Sequence, residues 1–134
     1  MTTFCVSIDG LIGVGKTTVL KCLREKTPHV NIIPEPIEQF TKFQNYNPLV
    51  QAYQRPQTDA SLTQIHIIKC IAENFQNNFK ENQINICERV CHSSKIFVKT
   101  NYDLENFSCF VKDFLINYTE QAIDAKYKPH VIFF

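Results

Sequence analysis

The chain contains only three glycines, and all three fall within six residues: Gly10, Gly13 and Gly15. They belong to Gly10-Leu11-Ile12-Gly13-Val14-Gly15-Lys16-Thr17, which fits the pattern G-x-x-x-x-G-K-[ST] without a mismatch. A short apolar run precedes the pattern and a helical one follows it, as a phosphate-binding loop requires. In such a loop successive backbone N–H groups turn inward toward phosphate oxygens. The helix that follows adds the positive end of its dipole. Lys16 supplies a point charge to the β- and γ-phosphates, and the Thr17 hydroxyl is a ligand for Mg²⁺. Chance yields this pattern in well under ~1% of chains this long, so the expectation is nucleotide phosphate binding at Gly10–Thr17 and the adjoining Thr18.

The rest of the composition narrows the class. The 134 residues, 44% hydrophobic and 20% charged, suit one globular domain over 1–134. With 14 Lys and Arg against 13 Asp and Glu the net charge is +1, which gives no basic footprint for nucleic acid or an anionic membrane. The longest apolar runs, such as Val131-Ile132-Phe133-Phe134, fall far short of the ~20 residues of a membrane helix. The start Met1-Thr2-Thr3-Phe4 lacks a basic, apolar or Arg-rich leader, so the expected location is cytoplasmic. The six cysteines, Cys5, Cys22, Cys70, Cys87, Cys91 and Cys109, form no Cys-x-x-Cys pair. Cys87, Cys91 and His92 lie close in sequence, but a zinc site needs a second ligand pair. Free buried thiols in a reducing compartment are expected.

Hydrophobic periodicity predicts alternating strands and helices. Strands are expected at Thr3–Ile8, Val30–Ile33, Ile84–Cys87 and Val131–Phe134. A helix is expected over Lys16–Lys26 with Val19, Leu20 and Leu23 on one face, stopped by Thr27-Pro28. An Asn- and Gln-rich stretch leads to Pro48, and a short helix is expected over Leu49–Tyr53. Leu62, Ile65, Ile68, Ala72, Phe75 and Phe79 recur at three- and four-residue steps, predicting a long helix over Ser61–Phe79. Another follows the segment after Arg89, with Leu104, Phe107, Val111, Phe114, Tyr118, Ala122 and Ala125 as its apolar stripe and Lys126–Lys128 as its exit. This alternation predicts an α/β fold with a parallel sheet.

In an open α/β sheet, ligands bind beyond the carboxyl ends of the strands. Two charged positions fall there. Glu35 sits between Pro34 and Pro36 after the second strand, its backbone restricted by both prolines; a solvated loop glutamate is the alternative. Glu88-Arg89 follows the third strand. Arg89, one of three arginines, can neutralise charge on a transferring phosphoryl group. Glu88 can hold Mg²⁺ through water or orient Arg89, and a structural ion pair is the competing explanation. Gln64 can donate to and accept from a base edge at once, and it also suits a helix boundary. Phe40 and Tyr53 can stack on a base or serve as core. His66 and His92 read as packing or surface residues.

Together these segments resemble the deoxynucleoside kinase family. The resemblance rests on Ser7-Ile8-Asp9-Gly10 through Thr18, on Pro34-Glu35-Pro36-Ile37-Glu38-Gln39-Phe40, on Asn47-Pro48-Leu49 through Tyr53, Pro56 and Gln64, and on Ile86-Cys87-Glu88-Arg89-Val90-Cys91-His92-Ser93. It implies a P-loop kinase-type three-layer sandwich and ATP·Mg²⁺-dependent phosphorylation of a deoxynucleoside 5′-hydroxyl. It makes Glu35 the general base, Arg89 the group supporting the reacting end with Glu88 beside it, and Gln64 the base reader. It also makes Tyr53 the partner of the sugar 3′-hydroxyl and Phe40 an aromatic packing on the base. A homodimer through packed helices is implied as well. Asp9, Leu11, Thr63 and Val90 stand where the family commonly has Glu, Asn, an aromatic and Ser. No arginine-rich lid or fifth strand follows Phe134, so the sandwich is expected to lack its C-terminal strand and lid. The rival readings are a non-catalytic nucleotide-binding fragment and a monophosphate kinase of thymidylate kinase type. Glu88-Arg89-Val90 fits the latter less well than Asp-Arg-Tyr would.

Overall fold

A computed structural model of the chain describes residues 3–9, 15–122, 129 and 131–133. Of the residues named above, Gly10, Leu11, Ile12, Gly13, Val14, Ala125, Lys126–Lys128 and Phe134 lie outside the described residues. The elements run β1 (Phe4–Ile8), α1 (Lys16–Lys26), β2 (Asn31–Ile33), α2 (Ile37–Phe40), α3 (Pro48–Gln54), α4 (Pro56–Asn78), β3 (Ile84–Glu88), α5 (Cys91–Asp103), α6 (Cys109–Ala122) and β4 (Val131–Phe133). The four strands form one sheet in the order β2-β3-β1-β4, and every pairing is parallel. This is the α/β, P-loop kinase-type sheet that the alternating pattern predicts.

The strand order places the functional cleft. From β1 the chain crosses over β3 to reach β2, whereas from β3 it crosses over β1 to reach β4. Adjacent strands β1 and β3 therefore send their connections in opposite directions. Between their carboxyl ends lies the switch point at which open sheets of this kind bind ligands. Right-handed crossovers put α1 on one face of the sheet and the later helices on the other. Strand residues two apart share a face, so Cys5 and Cys87 meet Ile33, Phe75 and Val90 in one core cluster, with Phe79 packed against it. A second cluster joins Phe40, Ile68 and Ile71 and is flanked by Tyr118 and Ala122 of α6. No described helix is long and apolar enough to cross a membrane.

Several expectations shift. β3 extends one residue beyond Cys87, so Glu88 ends the strand instead of following it. On α1 only Leu20 is buried, while Val19 is exposed. On α4 the buried positions are Ala60, Thr63, Gln64, Ile68, Ile71 and Phe75, and Leu62 points to solvent. Ile68 and Phe75 of the expected stripe are buried, and Ala72 and Phe79 pack against the core clusters. The last helical segment starts at Cys109, not Leu104. Leu104 caps the end of α5, Glu105 follows at φ +60°, and the Ser108 hydroxyl accepts the Val111 N–H at 3.3 Å to start α6. The buried residues of α6 are Leu115 and Thr119, while Phe114 is exposed. Cys5 and Cys87 are buried free thiols, but Cys22 and Cys109 are exposed.

Candidate active site at the carboxyl ends of the strands

Gly15 opens α1 at φ +94°, a left-handed conformation in which glycine avoids the penalty of a Cβ. It has no side chain to cap the helix, and the first turn holds no acidic residue. The turn bearing Lys16, Thr17 and Thr18 carries the helix's positive end, which suits an anion. The Thr17 hydroxyl donates to Glu88 Oε1 at 3.1 Å, and Glu88 is only 6% exposed. Two oxygen donors of the kind a hard divalent cation prefers therefore converge beside the phosphate end of α1. The residues present fit Mg²⁺.

The other half of the cleft is built on the two strand ends. After β2 the Pro34–Pro36 segment presents Glu35, and after β3 the chain turns through Arg89 at φ +60°. A non-glycine residue in this region is strained by about 1–3 kcal/mol and is held by its surroundings. The Arg89 N–H donates to the Ile8 carbonyl at 3.2 Å, tying the turn to the end of β1. Arg89 Nη1 then reaches Glu35 Oε1 at 2.8 Å, with side-chain exposures of 12% and 8%. The centre of its guanidinium lies over the Phe97 ring of α5, with Cζ 4.6 Å from the ring centroid.

Burial pushes the Glu35 carboxyl above its ordinary value. Arg89 pulls it back most strongly, Glu88 pushes it up, Lys16 lowers it, and Asp9 raises it. Desolvation outweighs the cationic partner because the site is shielded from water on several sides. Asp9 is itself buried. It accepts from the Ser7 hydroxyl at 2.7 Å and from the Ser93 hydroxyl at the start of α5, which joins the end of β1 to the turn carrying Arg89.

The sequence-predicted residues divide into two groups. Lys16, Thr17, Glu35, Glu88 and Arg89 come together at the cleft. Phe40 lies in the core against Ile68 and Ile71, because α2 is anchored on α4 through this ring. Tyr53 is 91% exposed near the end of α3, and its side chain faces solvent. Gln64 is buried on α4 beside Thr63, whose hydroxyl donates to the Pro48 carbonyl at 2.8 Å. Sequence reasoning passed over Asp9 as a structural tie and Phe97 altogether. An Asp directly before the loop's first glycine was visible. The contact between Phe97 and Arg89 needs the tertiary fold.

Among curated proteins no relative matched the chain. The family described as deoxynucleoside kinase matches residues 6–134, from the first strand through the end of the chain. That span holds the phosphate-loop helix, the ion-paired carboxylate and the arginine turn in one continuous match, and the chain belongs to the deoxynucleoside kinase family.

Proposed function

We propose that the chain transfers the γ-phosphoryl group of ATP to the 5′-hydroxyl of a deoxynucleoside, with Glu35 as general base. The observation that carries this reading is the buried 2.8 Å pair between Glu35 and Arg89 at the switch point. It sets a proton acceptor and a phosphate-binding cation side by side, next to Lys16. A carboxylate whose proton affinity is raised by burial is a better base near neutral pH than an ordinary glutamate.

Each residue has a distinct task. Glu35 accepts the hydroxyl proton as the new O–P bond forms and the bond to the ADP leaving oxygen breaks. Arg89 donates N–H groups toward the equatorial phosphoryl oxygens, where the transition state carries its charge. Lys16 offsets charge on the β- and γ-phosphates. Thr17 and Glu88 would hold Mg²⁺, which would supply positive charge to offset that of the phosphates. Gln64 remains the proposed base reader. Its burial in α4 supports a preset amide orientation.

The test is a coupled assay with ATP·Mg²⁺ and each of the four deoxynucleosides, repeated with Glu35→Gln and Lys16→Ala. Glu35→Gln should lower kcat by about 10²–10⁴-fold, the usual contribution of a positioned base. Turnover that survives both substitutions refutes these roles. Phosphorylation of a deoxynucleoside monophosphate in preference to the nucleoside would refute the acceptor.

A further inference from the structure

Arg89 is held at three points of different kinds. Its backbone N–H is bonded to the Ile8 carbonyl at 3.2 Å. Its Nη1 is ion-paired with Glu35 Oε1 at 2.8 Å. Its Cζ lies over the Phe97 ring, 4.6 Å from the centroid. The first two contacts leave the guanidinium plane undetermined, because a single ion-pair contact permits rotation about it. All five guanidinium donors lie in its plane, so only a contact on the face can fix the plane without using a donor. An aromatic ring meets that need and attracts the cation electrostatically as well.

Phe97 is not where it is for the sake of the core. It is 37% exposed, whereas its neighbour Val98 is fully buried and anchors that turn of α5. A large aromatic left at the rim of a cleft, with its face given to a buried cation, is explained by the cation. We propose that Phe97 is a positioning residue that sets the plane of the Arg89 guanidinium, so that its remaining donors converge on the phosphoryl group. The kinetic consequence rests on the function proposed above. The orientation of Arg89 does not.

The experiment therefore has two arms, run on the full chain with Phe97→Leu, Phe97→Tyr and Phe97→Met as a second non-aromatic variant. The first arm reads the Arg89 side-chain N–H resonances by ¹H–¹⁵N NMR, assigned by their loss in Arg89→Lys. Ring current from Phe97 shifts them in the wild type. The shift should persist in Phe97→Tyr and vanish in Phe97→Leu and Phe97→Met. The second arm reads kinetics. The non-aromatic variants should lose about tenfold in kcat, with the nucleoside KM changed less than about twofold, and Phe97→Tyr should restore kcat. Arg89 resonances that ignore the loss of the ring overturn the proposal. So does a raised KM at unchanged kcat, which would make Phe97 a wall of the acceptor pocket. If the wild type shows no turnover with any deoxynucleoside, the function reading fails and the NMR arm alone decides the role of Phe97.

Discussion

Glu35 shows how a single residue's environment becomes a pH dependence. The proposed general base works only when ionised, so activity should fall as acid protonates Glu35. Because burial raises its proton affinity, the acid limb of kcat should lie above the ordinary glutamate value. Arg89 is the strongest influence pulling the other way. Arg89→Ala should therefore move the limb to still higher pH, besides lowering the maximal rate. A limb that stays in place in this variant would disprove the coupling. The same raised value has a stability consequence of definite sign. The folded state binds the Glu35 proton more tightly than the unfolded chain, so this contribution to stability is complete at low pH and is lost as pH rises through the folded-state value. Glu35→Gln should flatten that part of the stability curve in urea titrations. Glu35 and Arg89 were legible in the sequence because charged residues directly after apolar strands have few structural reasons to be there. Phe97 was not, since its meaning depends on a cation that the fold brings onto its face. Phe40 takes the core role that an aromatic in a polar stretch also allows, packing against Ile68 and Ile71, while Tyr53 is exposed.

At the scale of elements, the period of a helix is easier to read than its phase or its start. Both long helices of the later half are present; α4 buries Ile68 and Phe75 of the expected stripe, whereas α6 buries Leu115 and Thr119, which lie outside it. In α4 the stripe includes Thr63 and Gln64, polar residues that an apolar count omits. In α6 the expected stripe began at Leu104, which lies before the helix. The signal that separates α5 from α6 is chemical rather than periodic: Ser108 accepts the Val111 N–H and so satisfies one of the orphan donors of the new helix. Asn47 does the same for α3, accepting from Leu49 at 3.1 Å and Val50 at 3.3 Å, with Pro48 at the first helical position. The expected start at Leu49 lies one residue inside the observed one at Pro48. Ser108→Ala should cost about 1 kcal/mol of unfolding free energy, and Ser108→Asp should retain most of it. Urea denaturation of the two variants checks this, and equal stability of Ser108→Ala and the wild type would show that α6 starts by another means.

At the scale of the whole molecule, the sheet order explains why residues 71 positions apart can share one cation. Thr17 follows the β1 loop and Glu88 ends β3, and these strands are neighbours with Ile8 paired to Glu88. The parallel register thus delivers a buried carboxylate to the helix terminus that is meant to receive phosphate. Without a divalent cation this is an electrostatic conflict, because Glu88 repels the anion that Lys16 and the α1 terminus attract. ATP should consequently raise the melting temperature of the chain much more with Mg²⁺ than with EDTA. A ligand at a hundred times its Kd adds about 2.7 kcal/mol, which such a scan detects readily. Glu88→Gln should narrow the gap from the metal-free side by removing the repulsion, while Lys16→Ala should reduce the shift under both conditions. If ATP stabilises the wild type equally with and without Mg²⁺, Glu88 does not face the phosphates, and the convergence of β1 and β3 serves structure rather than catalysis.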